Sequence, residues 1–106
     1  MIEKKFDFTK TENKHIERVL EDQRVGINHM VLPKGDSLPL HNANSNVYMI
    51  VVRGIISLIL DDQEQNDHPS GSILVIPMGT KMNVFNCNDD VAEIFVVKSP
   101  SPSNMG

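Results

Sequence analysis

The chain has 106 residues, 40% of them apolar, a net charge of −4 and a pI near 5.4. That length supports one modest hydrophobic core, so a single domain over 1–106 is predicted, and no apolar run is long enough to cross a bilayer. Lys and Arg are scattered and aromatics make up 5%, which argues against a phosphate-binding patch or a base-stacking platform, and so against nucleic acid as a partner. The opening segment MIEKKFDFTK carries charges where an export signal needs apolar residues, and a lone Cys87 precludes an intrachain disulfide. A cytoplasmic protein is the expectation.

In chain order, Phe6 and Phe8 flank Asp7 and predict a short strand. Residues 15–22 fit a helical apolar face through Ile16, Val19 and Leu20, but the segment is short and its surroundings favour strands, so it is read as a strand. Over residues 25–32, Val25, Ile27, His29 and Val31 share one face by parity. Pro33-Lys34-Gly35 breaks that strand, and a further one is predicted from Leu38 to Ala43. Asn44-Ser45-Asn46 is a turn cluster, read as a hairpin turn, because short polar side chains bond their own backbone. Residues 47–52 and 55–60, joined at Arg53-Gly54, are apolar on both faces, which implies cover on both sides.

Residues 61–67 are predicted as a polar loop, 73–76 as a short strand stopped by Pro77, and 82–85 and 92–97 as the last strands. The tail from 99 to 106 holds no core residue except Met105 and is expected to be mobile or to lie across a neighbour. Eight to ten short strands at regular spacing, with no clear helix, predict an all-β sandwich or barrel.

Two stretches within the core region 25–98 carry a family resemblance. The first, Gly35 to Gly54, has His41, Ala43 and Val47 between its glycines; the second runs through Gly71, Pro77, Gly79, Met82 and Asn86. In order and spacing they resemble the two motifs of the cupin superfamily. The resemblance implies a small antiparallel β-barrel of the double-stranded β-helix, or jelly-roll, type. It also implies a metal site of three imidazoles and a carboxylate. Of those four positions this chain keeps His41; Ala43, Val47 and Met82 occupy the others. Alanine and valine have no donor atom and a thioether is a soft, weak ligand, so no metal or other cofactor is expected. Asn44, Asn46 or His29 would have to complete any atypical ligand set.

Parity from Val47 turns Met49 and Val51 inward, and Met82 carries Val84 with it. The predicted pocket is therefore apolar: His41, Ala43, Val47, Met49, Val51, Met82 and Val84, with His29 approaching it. Such a lining suits a small, largely apolar ligand anchored by one polar group. The competing account is that these methionines and valines close the core and leave no pocket.

Two functions follow. One is a small cupin that is not a metalloenzyme and either binds a small apolar molecule or serves as a homodimeric scaffold or an accessory subunit of another protein, since cupins of this size commonly pair through their sheets. The other is an enzyme, either a dioxygenase or isomerase with an atypical metal site or a metal-free catalyst using His41 as acid or base. Ser57 and Ser72 lack a nucleophile elbow, Cys87 has no basic neighbour in sequence, and Asp61, Asp62, Glu64 and Asp67 lack a calcium-loop spacing.

Overall fold

The computed structural model describes residues 2–102. Nine strands form two antiparallel sheets: β1 (His15–Glu21), β2 (Gly26–Leu32), β3 (His41–Asn42), β4 (Asn46–Arg53), β5 (Ile55–Leu60), β6 (Asn66–Pro69), β7 (Ile73–Ile76), β8 (Lys81–Phe85) and β9 (Ala92–Ser99). One sheet has the order β1-β2-β9-β4-β7 and the other β3-β8-β5-β6. They face each other as a double-stranded β-helix, and the core lies between them.

Alternation decides what enters that core. Val47, Met49 and Val51 of β4 stand beside Ile94 and Val96 of β9 and Met30 and Leu32 of β2. Ile56 and Leu58 of β5 and Met82 and Val84 of β8 meet them from the second sheet. All are at most 8% exposed. Their β-branched and long unbranched side chains fill a two-layer interior without a helix.

The two motif turns are corners rather than hairpins. β3 belongs to one sheet and β4 to the other, so 43–45 carries the chain across the barrel, correcting the hairpin expected at Asn44–Asn46. Gly54 does the same between β4 and β5. Its φ is +72°, and a Cβ there would stand 2.2 Å from the Val91 carbonyl oxygen. Only glycine permits both that dihedral and that approach. Asn86 ends the second motif as a buried knot. Its amide donates to the carbonyls of Leu32 and Asp90, both at 2.8 Å, and its Oδ1 accepts from Asn88 N–H at 2.9 Å.

Three expectations change. Residues 6–8 form no strand; Phe8 lies on the outer face of the five-stranded sheet, against Phe95. The strand expected over Leu38–Ala43 shrinks to His41–Asn42, with an isolated bridge between Ser37 and Phe85. Part of the predicted 61–67 loop joins β6, a polar edge strand paired to β5 through Leu58 and Asn66. In the tail, Ser101 is fully buried and Ser45 donates to the Pro100 carbonyl, so the chain packs on its own barrel to this point. Residues 103–106, with Met105, lie outside the described residues.

Candidate functional site

The four metal-ligand positions of the two motifs, His41, Ala43, Val47 and Met82, meet at one end of the barrel. β3 pairs with β8 so that His41 stands opposite Met82, and β4 enters beside the last turn of β9, with Val47 opposite Lys98. Between them is a cavity of about 30 Å³. Ala43, Val47, Met49, Met82 and Val84 line it, with Met30, Leu38 and Val96 from neighbouring strands. His41, Asn44 and Lys98 form its polar rim. A space of this size accommodates about two or three non-hydrogen atoms.

His41 is exposed, and its Nδ1 lies 2.8 Å from the Pro39 carbonyl. A carbonyl can only accept, so Nδ1 carries a proton and Nε2 is left for another partner. Ala43 is pinned by its backbone: its N–H donates to Thr80 and its carbonyl accepts from Gly79, both at 2.8 Å. The first motif is thereby stitched to the second at the point where a metal-binding cupin would need its second histidine. Asn46 is committed elsewhere, its Oδ1 accepting the Met78 N–H at 3.1 Å.

The donor set does not fit a cupin metal. Ala43, Val47 and Met82 are 4%, 1% and 3% exposed and wall the space with carbon and one thioether sulfur. Among the described residues no group of three or more His, Cys, Asp or Glu side chains converges to hold a metal ion.

Of the residues predicted to line the pocket, Val51 is buried in the core away from the cavity. His29 is on the other side of the sheet, which corrects its predicted approach to the pocket. Its pairing with Glu17 of β1 and Phe95 of β9 puts all three on the outer face. There His29 is fully buried, with Nδ1 2.8 Å from Glu17 and Nε2 2.6 Å from Glu93. Carboxylates only accept, so an imidazolium donating from both nitrogens satisfies this arrangement. Phe8 and Phe95 cover the ring at centroid distances of 4.8 Å. Arg53 extends the cluster: its Nε is 3.1 Å from Glu93, and its terminal nitrogens reach Glu12 at 2.7 Å and the Thr11 carbonyl at 3.1 Å. The Thr9 N–H holds the Glu17 carboxylate down to about 2; His29, the Thr9 hydroxyl and His15 act in the same direction, against partial burial. Residues 8–12 are thus strapped across the outer face.

Lys98 is the rim residue that sequence reasoning missed. It continues the inward parity of Ala92, Ile94 and Val96, so extending the 92–97 strand by one residue would have found it. Burial pushes its ammonium below the ordinary value; Arg18 adds to this and Glu21 opposes it. Cys87 is exposed and 3.3 Å from the Ser57 hydroxyl, on the opposite sheet from Lys98.

No family model matches the sequence. An uncharacterised protein of Methanocaldococcus jannaschii is 40% identical over 99% of this chain and 91% of its own length. The crystal structure of an RmlC-like cupin family protein with a double-stranded β-helix fold, from the same organism, is also 40% identical. It superposes with a TM-score of 0.95 over 99% of this chain and 97% of that one. A conserved double-stranded β-helix protein of Klebsiella pneumoniae is similar in fold alone, with a TM-score of 0.78 at 15% identity over 93% and 85% of the two chains. With both motif frames present, the strand order of a double-stranded β-helix and a cupin relative matched along nearly its whole length, the chain belongs to the cupin superfamily.

Proposed function

We propose that the protein is a cupin that works without a metal and takes a small, largely apolar group into the open end of its barrel. The observation that carries this reading is the replacement of the ligand wall by Ala43, Val47 and Met82 around a cavity that stays open beside His41. The flexible thioethers of Met30, Met49 and Met82 let so small a space adapt to its guest. A lone cysteine supports a cytosolic setting.

Purified protein is expected to carry no stoichiometric iron, manganese, nickel or zinc. A metal present at one equivalent and lost in His41→Ala would overturn that half of the proposal. For the other half, xenon and 1-propanol titrated into protein labelled at the methionine methyls should move the Met30, Met49 and Met82 signals. If neither moves them, the barrel is packing alone.

A second reading, a homodimeric scaffold, is favoured by the outer face of the five-stranded sheet. Tyr48, Ile73 and Val75 are 40%, 66% and 65% exposed there and are neighbours across β4 and β7. The two readings are compatible, since the cavity opens on the inner side.

A further inference from the structure

The rim of the cavity carries a cation, Lys98, that makes no hydrogen bond or ion pair among the described residues. Lys98 is half-buried on the inner face, opposite Val47 on one side and Gly26 on the other. Among the described residues its ammonium has neither a hydrogen bond nor an ion pair; Glu21 acts on it only through the field, and Arg18 repels it. Taking an ammonium partly out of water without a partner is costly. A structural role would be served as well by an apolar residue at this position. Lys98 lines the apolar cavity together with His41, whose Nδ1 is taken by the Pro39 carbonyl.

We propose that this end of the barrel is a binding site for a small aliphatic carboxylate, whose head group is held by Lys98 and whose short tail enters the methionine-lined cavity. The assignment rests on the ligand-binding reading above and makes it more specific. The size of the cavity limits the tail to about two or three carbons. The head is an anion because an ammonium donates and cannot accept, and because a charge-assisted hydrogen bond at a partly dry rim outweighs a neutral one. Asn44 adds an amide to the same rim. No covalent step is involved.

The test compares propionate with 1-propanol, which share a tail length and differ in charge, by the shifts of the Met30 and Met82 methyl signals. Propionate should bind about tenfold more tightly than 1-propanol in the unmodified protein, the ratio that one charged hydrogen bond supplies. Lys98→Met should abolish that preference, and Lys98→Arg should keep most of it. Equal binding of the two probes, or a propionate affinity unchanged in Lys98→Met, overturns the carboxylate assignment while leaving the apolar cavity standing. Silence with both probes overturns the cavity reading and this assignment with it. The comparison on unmodified protein stands whether or not either variant folds.

Discussion

Asn86 stands where the second cupin motif ends, and its work is entirely in the backbone around it. One side chain satisfies the Leu32 and Asp90 carbonyls and the Asn88 amide, while its own N–H and carbonyl bond Asp36 and Gly35. Asn86→Ala leaves a buried carbonyl without a donor and should cost about 3 kcal/mol, read as a lowered denaturant midpoint with an unchanged slope. A loss below about 0.5 kcal/mol, the scale of an ordinary surface change, would show that the knot is not needed. Legibility at this scale was uneven. The sequence reading placed His29 on one face with Ile27 and Val31, as the register has it, but toward the cavity. Parity says which residues share a face and is silent about which face is inside. Here both faces of β2 carry apolar residues, so His29 offered no sign that it would be clasped by Glu17 and Glu93. Lys98 was missed for a different reason: a charge at the end of an apolar strand looks like the start of a loop.

Elements are legible in the sequence where apolar residues stand at nearly every position or alternate cleanly. The strands read from 25–32, 47–52, 55–60, 73–76, 82–85 and 92–97 lie within two residues of β2, β4, β5, β7, β8 and β9. β6 looks like loop in the sequence because a polar strand at a sheet edge has only one neighbour and no apolar alternation to announce it. The segment at residues 8–12 is the converse case, a stretch with strand-like residues that ladders with nothing. It is held by side chains, above all by Thr9 on Glu17 and by Arg53 on Glu12. Because the folded state lowers the Glu17 carboxyl from 4.5 to about 2, its contribution is complete above about 4.5 and is lost as pH falls through about 2. The stability difference between the unmodified protein and Glu17→Gln should therefore be constant above about pH 5 and shrink on acidification. Urea midpoints at a series of pH values measure it, and a difference independent of pH down to 2 would remove the charge from the account. Amide exchange at Thr9 should quicken in the same variant.

At the scale of the whole molecule, the β4–β7 end of the outer sheet face stands out as apolar and exposed. β7 is an edge strand, and it exposes Ile73 and Val75 beside Tyr48 without the lysines or bulges that usually guard an edge. Contiguous apolar surface of this kind marks an interaction site. A dimer is the expected outcome by light scattering, and the double substitution Ile73→Lys and Val75→Lys should convert it to monomer without altering the methionine signals of the cavity. A monomeric unmodified protein would end the scaffold reading.

The strand order has a consequence for how the molecule is made. β9 is the last strand among the described residues and the middle strand of the five-stranded sheet, pairing β2 on one side and β4 on the other. Before β9 is in place, β1–β2 and β4–β7 are two separate ribbons, and neither can complete the five-stranded sheet alone. The sheet therefore closes in one step that joins contacts far apart in sequence, the slow kind of folding event.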